Sequence, residues 1–152
     1  MRLAPEVTTL LKVPLGDDVV PRSEIVLAGR PTGTEVEGGA LEAAVAVDGG
    51  YLVFLTEGVP EEERLSIYLV DGTGRQLDRA DIGQWYTAAA FSDLEIEGPD
   101  ILRFRFLGDG HWRLRLLAHS GLRLPLLPEA PCVSRPFGFT RRFVLSTDSA
   151  RP

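Results

Sequence analysis

The sequence has no asparagine, one lysine (Lys12), one methionine and one cysteine (Cys132). A single cysteine excludes an internal disulfide, and nothing else points to an oxidising compartment. Cys132 stands between Pro131 and Val133 with no histidine close by in the sequence, and it reads as a small packed hydrophobe rather than a nucleophile. No apolar run reaches the 18 residues of a spanning helix. The first residues, Met1-Arg2-Leu3-Ala4-Pro5-Glu6, lack the basic-then-apolar order of a secretory signal, so a soluble, cytoplasmic protein without membrane contact is expected.

With one lysine, the cationic complement is almost entirely arginine: 15 residues. Lysine and asparagine share AT-rich codons, so this composition points to a GC-rich, bacterial genome before it points to phosphate recognition. The net charge of −6 conceals a gradient along the chain. Residues 1 to 100 carry 7 basic and 19 acidic side chains, a net of −12, whereas residues 101 to 152 carry 9 and 3, a net of +6. Overall acidity argues against a nucleic-acid partner, whose binding rests on phosphate neutralisation. Either the two halves interleave and neutralise each other, or each forms a face and the acidic face steers a basic partner.

The 152 residues fit a single domain, and 44% hydrophobic content supports a sizeable core. Turn signals are closely spaced. Asp48-Gly49-Gly50, Asp71-Gly72-Thr73-Gly74, Gly98-Pro99-Asp100 and Gly108-Asp109-Gly110 separate short apolar segments in the manner of antiparallel hairpins. The prediction is an all-β antiparallel sandwich, jelly-roll-like or immunoglobulin-like, spanning 1–152 with at most short helical turns. Residues 41–56 are apolar at nearly every position and suggest a central hairpin covered on both sides. Residues 3–13 mix helical spacing with the strand preference of Val7-Thr8-Thr9. Residues 84–91 fit a helical turn or a strand, and 29–34 and 125–136 read as irregular connections.

The stretch 91–118 is the most informative. A three-residue loop 108–110 pairs Phe106 with Trp112, Phe104 with Leu114 and Leu102 with Leu116, placing every apolar residue on one face. The other face then sets Arg105 opposite Arg113 and Arg103 opposite Arg115. With 98–100 as the preceding loop, Ile96 pairs with Leu102, Leu94 with Phe104, Glu95 with Arg103 and Asp93 with Arg105. Opposite charges across strands contribute roughly 0.2–1 kcal/mol per pair, so this interface is favourable and the arginine pairs need carboxylates or solvent.

Chemistry-bearing motifs are sparse. Asp71-Gly72-Thr73-Gly74 superficially resembles a phosphate loop but is followed by Arg75-Gln76-Leu77-Asp78-Arg79, with no Gly-Lys-Ser/Thr and no clear helix. His111 and His119 stand at opposite ends of one expected strand, too far apart for one metal. His119-Ser120-Gly121 lacks the Gly-x-Ser-x-Gly elbow of serine hydrolases. No catalytic residue, cofactor or metal site is assigned. Candidate binding residues are the arginine ladder Arg103, Arg105, Arg113 and Arg115, and the acidic cluster Glu61, Glu62 and Glu63. Trp112 and Trp85 could serve as anchors, although Trp112 falls on the apolar face.

The leading expectation is therefore a non-enzymatic module that binds another protein, of the inhibitor, immunity-factor or assembly-subunit type, with an electrostatic contribution. Its alternatives are a small-anion-binding or enzymatic β-sandwich or barrel that uses the arginine ladder, and a structural subunit that self-associates, with an exposed edge strand as its sign.

Overall fold

The computed structural model describes residues 1–14, 16, 19–58, 64–83, 89–108, 110–122, 129–130, 132–136 and 140–148. Short apolar runs punctuated by glycine and aspartate build strands, and among the described residues there is no helix. The first seven are β1 (Arg2–Leu3), β2 (Val7–Val13), β3 (Arg22–Leu27), β4 (Arg30–Glu37), β5 (Ala40–Val47), β6 (Gly50–Thr56) and β7 (Arg64–Asp71). The others are β8 (Gln76–Gly83), β9 (Ser92–Ile96), β10 (Ile101–Arg105), β11 (His111–Leu122), β12 (Val133–Ser134) and β13 (Thr140–Asp148). No described helix is long and apolar enough to cross a membrane.

The strands form three antiparallel sheets: a six-stranded sheet ordered β1-β5-β6-β7-β8-β12, a four-stranded sheet β13-β11-β10-β9, and a three-stranded sheet β2-β3-β4. The all-β sandwich expected from the sequence is present, with a third layer. The apolar character of 41–56 explains why. Leu52 and Phe54 on β6 pack with Leu102, Phe104, Trp112, Leu114 and Phe143 of the four-stranded sheet. The intervening Val53 and Leu55 pack with Val7, Ile25 and Val36 of the three-stranded sheet. A strand whose successive side chains are all apolar needs cover on both faces, and the two outer sheets supply it. Phe54, Phe91 and Phe104 form the aromatic centre of the larger core, with ring centroids 5.3 to 5.5 Å apart. Trp112 is buried there, as its place on the apolar face requires.

Turn chemistry sets the hairpins. The Asp48-Gly49 turn joins β5 to β6, with Gly49 at φ 83°, a conformation glycine adopts without steric cost. Gly50 has a second constraint: a Cβ there would lie 1.9 Å from the Val70 carbonyl oxygen of the neighbouring strand.

Besides β12 (Val133–Ser134), which pairs with β8 inside a stretch expected to be irregular, two expectations change. Residues 29–34 are not an irregular connection; all but Gly29 belong to β4, an edge strand that tolerates Pro31 and kinks where its pairing with β3 shifts register. The mixed signal of residues 3–13 resolves into β1 and β2, because Val7 faces the core as a strand residue while Leu10 and Leu11 remain exposed. Residues 84–88, including Trp85, lie outside the described residues.

Candidate functional site

Along β10 and β11 the arginines alternate with buried apolar residues. Leu102, Phe104, Trp112 and Leu114 point into the core, so Arg103, Arg105, Arg113 and Arg115 project from the outer face of the four-stranded sheet. The structure thus brings all four predicted ladder residues to one face. It corrects their pairing: Arg103 lies opposite Arg113, and Arg115 opposite Ile101. The strands leave 106–110 between them instead of the expected three residues. Phe106 is buried and its carbonyl accepts the Trp112 indole N–H at 2.5 Å, while Leu107 (φ 60°) and Gly108 (φ 89°) turn the chain through the left-handed region. A two-residue slip preserves the face of every side chain, which is why the pattern gave the right faces with the wrong partners.

The β9–β10 register is as expected for Ile96 with Leu102 and Glu95 with Arg103. It then breaks at a bulge. Asp93 adopts φ 55° and Ser92 stands opposite Arg105, although the Asp93 carboxylate still lies 3.8 Å from the Arg105 guanidinium. Glu97, just beyond β9, sits between two arginines: Arg103 Nη1 donates to its Oε2 at 3.2 Å and Arg113 Nε lies 3.5 Å from its Oε1. Arg115 is exposed and has no ion-pair partner among the described residues. Glu61, Glu62 and Glu63 lie outside them.

A second arginine cluster escaped the sequence reading. Asp78 lies on β8 with the same parity as Ala80 and Ile82, so its carboxylate points toward the four-stranded sheet. There Arg135 Nη1 meets both Asp78 oxygens at 3.2 Å, its Nε and Nη2 donate to Glu129 at 3.0 Å, and Nη2 also donates to the Phe143 carbonyl at 2.7 Å. Arg141 Nη1 lies 3.4 Å from Glu129. The carboxylates in turn accept backbone N–H groups of β13, Arg142 to Asp78 at 2.8 Å and Leu145 to Glu129 at 3.1 Å. The guanidinium carbon of Arg135 also stacks 4.5 Å from the Phe143 ring centroid. This cluster ties the central sheet to β13. Its one legible signal was a carboxylate on the apolar parity of β8; Glu129 and Arg135 sit in a segment without periodicity.

A third grouping lies on the other face of β7 and β8. Arg79 stacks 5.2 Å from the Tyr68 ring and lies 3.2 Å from both Glu37 and Asp81. The Tyr68 hydroxyl donates to the Glu37 carbonyl at 2.7 Å, and burial pushes its pKa up to about 12. At the β1 edge, a shallow groove of about 500 Å³ is lined by Met1, Arg2, Ala46, Tyr51 and Gly72 among others. Nearby, the Arg2 guanidinium pairs with Glu6 at 2.6 Å and holds that carboxyl at about 2.

The Asp71–Gly74 turn takes a structural role. Asp71 Oδ1 accepts the backbone N–H groups of Thr73 (2.9 Å) and Arg75 (3.0 Å) together with the Thr73 hydroxyl, so the turn's donors already hold an anion, its own carboxylate. Burial pushes the Cys132 thiol up, away from the reactive thiolate. His111 and His119 occupy one strand, and no group of three or more potential ligands that could hold a metal occurs among the described residues. Comparisons with known protein families, with curated proteins and with solved structures found no match.

Proposed function

We propose that the protein is a non-enzymatic interaction module, and that the arginine-bearing outer face of the four-stranded sheet receives an acidic patch of a protein partner. The supporting observation is Glu97 held between Arg103 and Arg113. Guanidinium groups on neighbouring strands are already spaced to share one carboxylate, and Arg115 extends the same face. Planar, always-charged guanidinium groups suit carboxylate recognition by multiple hydrogen bonds. The chain as a whole is acidic, with a net charge of −6. Screening beyond about 8 Å at physiological ionic strength leaves the local face to decide short-range contact.

Immobilised protein incubated with lysate of its source organism tests this reading. Wild type is expected to retain one stoichiometric partner at low salt and release it as salt rises, and R113E/R115E to retain none. A partner held equally by both forms would place the contact elsewhere. The second reading, a small-anion site on the same face, has the shared carboxylate in its favour too. It requires sulfate or a dicarboxylate to raise the melting temperature of wild type and not of R113A.

A further inference from the structure

The three sheets leave six terminal strands, and five of them are blunted. β1 and β12 have two residues each. β9 carries the Asp93 bulge and two carboxylates, Asp93 and Glu95. β4 contains Pro31, a register shift and three charges, and its Gly33 N–H is taken by the Glu24 carboxylate at 2.9 Å. On β13, the Phe143 carbonyl and the Leu145 N–H are occupied by Arg135 and Glu129. These are the recognised means by which sheet edges avoid pairing with another chain.

β2 has less of this: its pairing with β3 shifts register only at its end, between Leu11 and Val13. Its sequence Val-Thr-Thr-Leu-Leu-Lys-Val has high strand propensity, no proline and one charge, and Lys12 is folded back onto Glu24 at 3.2 Å. β3 covers one edge of the strand, and on the other edge no backbone hydrogen bond is made by residues 8–13 among the described residues. Leu10 is 51% exposed and Leu11 50%, and the hairpin beyond them ends in exposed Val19 and Val20. Among the described residues, no strand pairs with this edge.

We infer that β2 pairs antiparallel with β2 of a second copy, about a two-fold axis at Leu10, joining the two three-stranded sheets into one. The run Thr8–Lys12, exposed except for half-buried Thr9, is centred on Leu10, and the pairing is self-complementary. Leu10 meets Leu10 of the second copy, Thr9 meets Leu11, and Thr8 meets Lys12. No like charges face each other, and the two lysines stand roughly 13 Å apart, from the rise per residue of a strand. Although the chain is acidic overall, residues 1–30 carry four basic and four acidic side chains, so the joined regions do not repel. The surface lies on a different sheet from the arginine face and relies on backbone hydrogen bonds and apolar contact. Its strength is therefore insensitive to salt, unlike partner binding through Arg113 and Arg115.

Sedimentation velocity over a range of micromolar concentrations, at low and high salt, provides the test. Wild type is expected to sediment as a dimer under both conditions. L10K and L10E, each folded by circular dichroism, are expected to dimerise at least tenfold more weakly, and an equimolar mixture of the two to recover a 1:1 heterodimer. Recovery requires that residue 10 face itself. A wild-type protein that stays monomeric overturns the inference and leaves the edge to a strand from another protein. A dimer unaffected by L10K, or a mixture that does not re-form one, overturns it as well.

Discussion

The molecule uses arginine in two ways that composition does not distinguish. The Arg135 side chain, 4% exposed, lies between two sheets with Asp78 and Glu129 on either side. The Arg113 side chain, 44% exposed, stands on an outer face and shares one carboxylate with a neighbour. Arg79, 19% exposed and stacked on Tyr68, is intermediate. A buried ion pair is costly to assemble and more costly to break, whereas an exposed pair contributes little and remains available to a partner. The inner cluster therefore belongs to architecture, and the outer face is the one proposed for recognition. The inner cluster has a further effect: by occupying backbone groups of β13 it closes that edge, a protection β2 lacks.

The comparison is broken most directly at the buried end. Arg135→Met leaves Asp78 buried without its cation and Glu129 with Arg141 alone, and urea denaturation is expected to show a loss of about 3–5 kcal/mol. Apolar replacement of a simple buried ion pair is often neutral or stabilising, but replacing Asp78, Glu129 and Arg135 together also takes away the acceptors of the Arg142 and Leu145 amides. The triple variant is expected to remain at least about 1–3 kcal/mol below wild type; full recovery would show that the amides find other acceptors.

The intermediate region sharpens the contrast through pH. Tyr68→Phe removes the hydrogen bond to Glu37 and is expected to cost about 1 kcal/mol at neutral pH. Because burial raises the folded-state pKa from the ordinary 10.0 to about 12, the stability tied to the neutral phenol is complete below pH 10 and lost as pH rises through about 12. Denaturation midpoints followed across that window are expected to fall for wild type and to fall less for Y68F.

The smallest effect belongs to the outer face. Arg113→Ala and Arg115→Ala are expected to change stability by no more than about 0.5 kcal/mol in either direction while weakening partner binding. A loss approaching that of Arg135→Met would make the ladder structural and remove the basis of the proposed function.

The sequence alone determined the strand character, the hairpin turns at Asp48-Gly49 and Asp71–Gly74, the two-sided burial of β5 and β6, and the alternation that puts four arginines on one face. These are local properties: the two-residue side-chain period and the preferences of glycine and aspartate act within a few positions of the chain. Tertiary structure decided the rest. The register of β10 against β11 depended on where Phe106 and the Trp112 indole could be satisfied, which no alternation encodes. The third layer required knowing which sheet covers Val53 and Leu55. The Asp78–Arg135 cluster joins residues 57 positions apart, and the open edge of β2 follows from its terminal place in the sheet. Pairing and burial are relations between distant segments, and their energies exist only once the layers have packed.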